Sequence, residues 1–138
     1  MSDKKIEELK KKFIISPEEY DKSLLSEQIE IVLKFCRVDP NGRVLVDKLN
    51  LTNKEKVKLV LVARFLASKL DSNISAEVGV DDISENVNIS PHQARARISE
   101  IVREGFATTK ERGSYLVTPY KIDAWLFNLI KSRNLDNS

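Results

Sequence analysis

The stretch "NISPHQARARISEIVREGF", residues 88–106, combines a helix start, a helix stop and charge on one side only. Ser90 followed by Pro91 is typical of a helix N-terminus, and a glycine such as Gly105 is typical of the position just after a C-terminus. We therefore predict a helix over residues 91–104. At about 100° per residue, four residues fall in one narrow sector that is expected to face a protein core. They are Ala94, Ile98, Ile101 and Gly105.

The opposite side of this helix is polar and basic. His92, Ala96 and Arg103 lie on its outward midline, flanked by Arg95 and Ser99 on one side and by Gln93 and Glu100 on the other, while Arg97 lies near the edge of the buried sector. This side is either a solvated surface, with pairs such as Arg103 and Glu100, or a surface shaped to enter a groove of nucleic acid.

Composition narrows the class of protein. The 138 residues are 41% hydrophobic and 32% charged, which fits a soluble, folded, helix-rich chain. The net charge is only +2, so any basic patch must be local. One cysteine and one histidine exclude a Cys/His zinc site and an internal disulfide. Cys36 lies in an apolar stretch, and we expect it to be buried and inert.

The rest of the chain predicts further short elements. The helix at 53–70 opens with a Thr52/Glu55 capping box and is apolar on several sides, so we expect it to be central to the fold. Asn88 stands where a left-handed residue is needed. Buried side chains are expected in the second and third helices, including Tyr20, Leu24, Ile31, Phe35 and Leu70. The expected elements are helices at 3–14, 17–37, 53–70, 80–87 and 119–133, strands near 43–47 and at 78, and a hairpin at 106–119 with its tip at 111–113.

The order helix, short strand, short helix, three-residue turn, helix and hairpin resembles the winged helix-turn-helix superfamily, in the form of small transcription regulators. The resemblance spans residues 53–118 and is best in "IVREGFATT" and "GSYLVTP". We therefore expect a mostly α fold with a small β-hairpin. Residues 1–50 are expected to form an N-terminal helical extension with a short hairpin or strand, 51–118 the winged module, and 119–138 a C-terminal packing or dimerisation helix and tail.

The resemblance implies a regulator that binds double-stranded DNA, with helix 91–104 in the major groove and wing 106–118 on the backbone. It implies a homodimer without a cofactor or metal. The implied DNA-binding residues are Ser90, His92, Gln93, Arg95, Ala96, Ser99, Arg103, Lys110 and Arg112. The last helix carries a wide apolar band that we expect to supply the dimer interface, formed by Ile122, Trp125, Leu126, Phe127, Leu129 and Ile130.

Two other functions remain open, a protein–protein adaptor and an RNA- or ribosome-associated protein. Segment 91–118 holds five basic and three acidic residues, so positive charge is only modestly concentrated there, and Glu100 and Glu104 favour the adaptor. Enzymatic activity is not expected, because the sequence holds no Gly-rich phosphate loop, no Ser/His/Asp arrangement and no metal-ligand spacing. A charged start without a signal-peptide core, and no apolar run of about 18 residues, predict a cytoplasmic protein that does not enter a membrane.

Overall fold

The computed structural model of the chain describes residues 2–47, 50–111 and 113–133. It is mostly helical, with two small antiparallel sheets. The helices are α1 Asp3–Phe13, α2 Pro17–Val32, α3 Asn53–Leu70, α4 Val80–Val87, α5 Pro91–Arg103 and α6 Ile122–Ser132. The strands are β1 Cys36–Val38, β2 Val44–Val46, β3 Val78–Gly79, β4 Ala107–Thr109 and β5 Ser114–Val117.

Helix α3 lies at the centre of the fold, as predicted. Its start is fixed by the predicted capping box, in which Thr52 Oγ1 accepts a hydrogen bond from the Glu55 amide at 3.1 Å and Glu55 Oε1 accepts one from the Thr52 amide at 2.8 Å. Helices α2, α4 and α5 and strands β1, β2 and β5 all pack against it. The prediction for Leu70 is wrong: it is 68% exposed, because the end of α3 extends past the core.

The second helix is shorter than predicted. It ends at Val32, and residues 36–38 form β1, which pairs with β2 through Cys36–Val46 and Val38–Val44. The "DPNG" turn folds the chain back within a few residues and brings β2 beside β1. A helix that continued to residue 37 would lose this strand pairing. Tyr20 is exposed rather than buried, because residues 17–23 extend beyond the core.

The β1–β2 hairpin is held against α4 by one side chain. Asn86 of α4 accepts a hydrogen bond from the Val44 amide through its side-chain oxygen, and its amide nitrogen donates to the Asp82 carbonyl. Phe35, Cys36 and Val44 are buried in the same apolar cluster as α3. The upstream segment and the helices that follow it therefore share one core.

The second sheet has the strand order β3–β5–β4, with Val78 paired to Tyr115 and Ala107 paired to Val117. The predicted short strand at residue 78 and the predicted hairpin are confirmed. The last helix begins at Ile122 rather than at the predicted residue 119. Thr118 Oγ1 donates to the Gly105 carbonyl at 3.0 Å, and the chain passes through a 3₁₀ turn at Pro119–Lys121 before α6 begins.

Arg64 of α3 is a buried charged side chain that the sequence pattern did not single out. Its Nε donates to the Ser75 carbonyl at 2.8 Å and its Nη2 to the Glu77 carbonyl at 3.1 Å, while Nη1 lies 3.8 Å from Asp82 Oδ2. A Cβ at Gly42 would lie 3.4 Å from Arg64 Nε, and the φ of +88° at that turn also favours glycine. Arg64 thus joins α3, the 71–77 loop and α4.

Arg64→Met is expected to lower the free energy of unfolding by about 1–3 kcal/mol, because it leaves the Ser75 and Glu77 carbonyls without the donors of a buried guanidinium group. Urea unfolding followed by circular dichroism measures the change. Arg43→Met, at an exposed arginine, is the matched control and should change stability by less than about 0.5 kcal/mol. Equal effects of the two variants would contradict the role of Arg64.

Cys36 is buried, as predicted. Removal from water, and secondarily the charge of Asp47, raise the pKa of its thiol from 9.0 to about 12, although Arg37 acts in the opposite direction. The thiol is therefore protonated near neutral pH, which is the unreactive form.

Stability should fall at alkaline pH partly through Cys36. Because the folded chain holds the thiol proton more tightly, the contribution is complete below the unfolded pKa of 9.0 and is lost as the pH rises toward about 12. Unfolding free energies of the wild type and of Cys36→Ala, measured at several pH values, should show the wild type losing stability faster above pH 9. A difference that does not change with pH would contradict this expectation.

Candidate nucleic-acid interface

The turn between α4 and α5 sets the direction of α5. Asn88 is left-handed, with φ 61° and ψ 51°, as predicted. Ser84 Oγ donates to the Ile89 carbonyl at 2.6 Å, and the Ile89 amide donates to the Ser84 carbonyl at 3.1 Å. Ser90 Oγ then accepts a hydrogen bond from the Gln93 amide at 3.1 Å, which starts α5. The part played by Ser84 was missed, because it depends on a carbonyl five residues away.

The apolar side of α5 faces the core as predicted, with Ala94, Ile98 and Ile101 buried. The prediction for Gly105 is wrong, because this residue is exposed. It lies just past the helix with φ +82°, where it ends α5 and turns the chain toward the hairpin. Ala94 has no exposed surface, so a small side chain at this position lets α5 lie close to its neighbours.

The opposite side of α5 faces solvent along the helix, although Ala96 at its centre is half-buried. The predicted contact residues of this side that are exposed are Ser90, His92, Gln93, Arg95, Ser99 and Arg103. We call these six residues, together with Ala96, the α5 outer face.

The carboxylates of Glu100 on α5 and of Glu104, which directly follows α5, are paired with basic side chains of α3 and α5. Glu100 Oε1 lies 2.7 Å from Arg97 Nε, and Glu100 Oε2 lies 3.9 Å from Lys54 Nζ. Glu104 Oε1 lies 3.1 Å from Lys58 Nζ, and its other oxygen accepts a hydrogen bond from Lys54. Neither carboxylate pairs with Arg103. The pair of Arg103 with Glu100, which the sequence left open, is therefore not formed.

Arg95 and Arg103 are the cations that this pairing leaves available. Among residues 2–47, 50–111 and 113–133, no carboxylate lies within 4.0 Å of either guanidinium, and both side chains are exposed. Two exposed arginines two helical turns apart therefore project from the α5 outer face.

The hairpin stands beside α5 and is closed by backbone hydrogen bonds from Lys110 to Ser114 and from Ser114 to Glu111, each 3.0 Å long. Gly113 takes a φ of +79° at its tip. Lys110 is exposed, and so is Glu111, which places a negative charge next to it. The predicted contact Arg112 lies outside the described residues.

Helix α4 brings two further negative charges to this region of the fold. Asp81 and Glu85 are exposed and lie four residues apart, on one side of α4. The carboxylate of the neighbouring Asp82 accepts a hydrogen bond from the Gly79 amide at 3.2 Å and so serves the start of the helix.

The six residues predicted for a dimer interface are mostly occupied within one chain. Ile122, Leu126, Leu129 and Ile130 are buried in the core, beside α2. Trp125 is half-buried and meets the Phe106 ring edge-on, with ring centroids 5.5 Å apart. Phe127 is 60% exposed and is the only one of the six with a largely open side chain.

Within residues 2–47, 50–111 and 113–133, no group of three or more His, Cys, Asp or Glu side chains is placed to hold a metal ion. In the same part of the chain, no helix combines the length and the apolar character that crossing a membrane requires.

The Glu104 carboxylate gives the α3–α5 contact a pH dependence. Its hydrogen bond from Lys54, with a second from Lys58, holds the pKa of Glu104 below its ordinary value of 4.5. A lowered folded pKa means that the stabilisation is complete above pH 4.5 and is lost as the pH falls through the folded pKa. The side chain is 42% exposed, so solvent screening keeps the effect below about 1 kcal/mol.

We expect Glu104→Gln to be slightly less stable than the wild type at pH 7 and equal to it at strongly acidic pH. Thermal unfolding of both proteins over a pH series measures the difference. Glu111→Gln, at an exposed carboxylate of the hairpin tip, is the control and should show no such convergence. A gap between wild type and Glu104→Gln that persists in acid would contradict the assigned pairing.

Comparison of the chain with family models, with curated proteins and with solved structures finds no match in any of the three. Exposed guanidinium groups, an amide side chain at the first turn and a half-buried alanine at the centre form a surface suited to the edges and phosphates of a polynucleotide.

Proposed function

We propose that the chain is a DNA-binding transcription regulator of the winged helix-turn-helix type, which places α5 in the major groove and the β4–β5 hairpin on the DNA backbone. One observation carries the proposal. The carboxylates of α5 are paired with Lys54, Lys58 and Arg97, so Arg95 and Arg103 project from a face without a neutralising partner among the described residues.

The order of elements supports this proposal. A helix, a three-residue turn and a second helix are followed at once by an antiparallel hairpin, and α3 packs behind both helices. In helix-turn-helix proteins the second helix enters the major groove and contacts base edges with its N-terminal residues. The corresponding residues here are His92 and Gln93, both of which are exposed.

Each part of the surface has a chemical role in the proposal. The Gln93 amide can donate and accept at once, which matches the N6 and N7 edge of adenine. Arg95, Arg103 and Lys110 are basic side chains suited to phosphates. The same holds for Arg112, which the sequence predicts as a DNA contact. Ala96 lets the helix approach the bases because it adds no bulk at the centre of the face.

A module of this size covers only a short stretch of duplex. Helix-turn-helix regulators commonly bind as two-fold symmetric dimers to half-sites about one DNA turn apart. The proposed regulator is accordingly a homodimer, and it needs no cofactor for this mode of recognition.

The second candidate function is a protein-binding module, and one observation favours it. Asp81 and Glu85 are exposed on α4, the helix that crosses the DNA backbone in helix-turn-helix complexes. Carboxylates at that position repel phosphates and suit a basic protein partner. Under the DNA proposal, Asp81→Asn with Glu85→Gln should therefore strengthen duplex binding, whereas a protein-binding module gains nothing from it.

The salt dependence of binding to a random-sequence DNA duplex tests the proposal. If Arg95, Arg103, Lys110 and Arg112 each meet one phosphate, the slope of log affinity against log salt should be about −3.6 per chain, at about −0.9 per contact. Arg95→Ala with Arg103→Ala should reduce the slope by about 1.8 and weaken binding at low salt. Fluorescence anisotropy over a salt series measures both quantities.

Arg43→Ala is the matched control, because Arg43 is exposed but belongs to the β1–β2 turn, and it should leave the slope unchanged. A double-stranded RNA of the same sequence should bind more weakly, because its deep, narrow major groove does not admit α5. Tighter binding to the RNA would favour an RNA-associated function. No measurable binding to duplex DNA at low salt would exclude the proposal.

A further inference from the structure

Helix α1 has an apolar stripe that no other described part of its chain covers. Ile6, Leu9 and Phe13 lie at spacings of three and four residues and thus on one side of the helix. Every residue of α1 is exposed, and Phe13 and the following Ile14 are 89% and 69% exposed. An apolar stripe exposed to water is unfavourable, so we expect the surface of a partner to cover it.

The same molecule presents an uncovered apolar groove along α2 and the end of α3. Two adjoining concavities, each of about 280 Å³, share Ile29 and Leu70. The groove also includes Leu25 of α2 and Leu33, which directly follows α2. Leu33 is 44% exposed and Leu70 is 68% exposed. We call this surface the α2–α3 groove.

The groove and the helix agree in length and in pattern. The α2 residues that line the groove run from Lys22 to Val32, which is about 16 Å of helix, and the 11 residues of α1 span about 16 Å. Helices that bind in grooves do so through anchors at positions i, i+3 or i+4, and i+7. Ile6, Leu9 and Phe13 have this spacing.

The charges of the two elements are complementary. Helix α1 contains five lysines and three acidic residues, which gives a net charge of +2. Helix α2 contains five acidic residues and one lysine, which gives −4. Lys10 and Lys12 border the stripe of α1. Glu30 and Asp71 border the groove, as do the basic Lys22 and Arg37, so the negative charge comes from α2 as a whole. This complementarity favours an α1 helix as the occupant over an uncharged apolar segment.

The connection between α1 and α2 determines whose α1 fills the groove. Ile14 and Ser16 are both extended, so the three residues between the helices carry α1 away from α2. A return to the groove of the same chain needs a reversal that these residues do not make. Short connections of this kind promote exchange of the element with a second copy.

We propose that two copies of this chain exchange α1, each inserting Ile6, Leu9 and Phe13 into the α2–α3 groove of the other. The contact forms twice by symmetry, which brings the buried area toward the roughly 1,200–2,000 Å² of stable complexes. The homodimer is part of the proposed function, but the exchange rests on α1 and the groove alone. Its test contains no nucleic acid, so failure of the exchange and failure of DNA binding are distinguishable.

The test is the oligomeric state of the full chain, measured by sedimentation equilibrium over a concentration series. The wild type should form a dimer. Phe13→Asp on α1 and Leu70→Asp in the groove should each raise the dimer dissociation constant by at least about 30-fold, as expected when a buried anchor is lost. Both side chains are exposed within one chain, so the circular dichroism spectrum of each dilute variant should match that of the wild type.

Phe127→Asp is the matched control, because Phe127 is an exposed phenylalanine on α6, and it should leave the dissociation constant unchanged. A mixture of the Phe13→Asp and Leu70→Asp chains should associate more tightly than either chain alone, because one intact helix then meets one intact groove. This recovery is specific to reciprocal exchange.

Three results would overturn the proposal. The first is a wild type that stays monomeric, whether α1 folds onto its own chain or binds vesicles containing phosphatidylserine instead. The second is a dimer that Phe13→Asp disrupts and Leu70→Asp does not, since this indicates that two α1 helices pair with each other. The third is a dimer that depends on Phe127 and not on Phe13.

Discussion

The fold depends on burying helix α3 on nearly all sides. Its residues from Leu59 to Val62 have no exposed surface, and three helices and three strands pack around them. A helix covered this completely cannot shift without opening several contacts at once. Three of its basic side chains connect it to neighbouring elements, Lys54 and Lys58 near its start and Arg64 farther along.

The placement of the α3 lysines explains how a nearly neutral chain can present a basic face. Glu100 lies on α5 and Glu104 directly follows it, and counting charges along the sequence cancels them against its arginines. In the fold Glu104 meets Lys54 and Lys58, and Glu100 meets Arg97 and, at 3.9 Å, Lys54, so neither carboxylate neutralises Arg103. Side chains of one helix thereby determine which charges of another remain exposed to a ligand.

Sequence periodicity was enough to predict α3, α4, α5 and the hairpin, because each has an apolar pattern matched to its period and clear end residues such as Thr52, Asn88 and Ser90. Strand β1 was missed because Cys36–Val38 continues the apolar run of α2, and only pairing with β2 distinguishes the two. The burial of α6 was not apparent from its own sequence, since it depends on contact with α2, about a hundred residues upstream. The hydrogen-bond acceptors of Arg64 are likewise backbone carbonyls, which a pattern of side chains cannot predict.

The hydrogen bonds of the Asn86 side chain limit where the chain can be cut into fragments that keep their fold. It ties the β1–β2 hairpin to α4, and α4 in turn fixes the turn from which α5 projects. A fragment that starts at residue 51 would leave the Asn86 carbonyl without its donor and would strip Phe35 and Val44 from the common core. The upstream third of the molecule is thus energetically linked to the orientation of α5, and anything that binds it tightly acts on that helix as well.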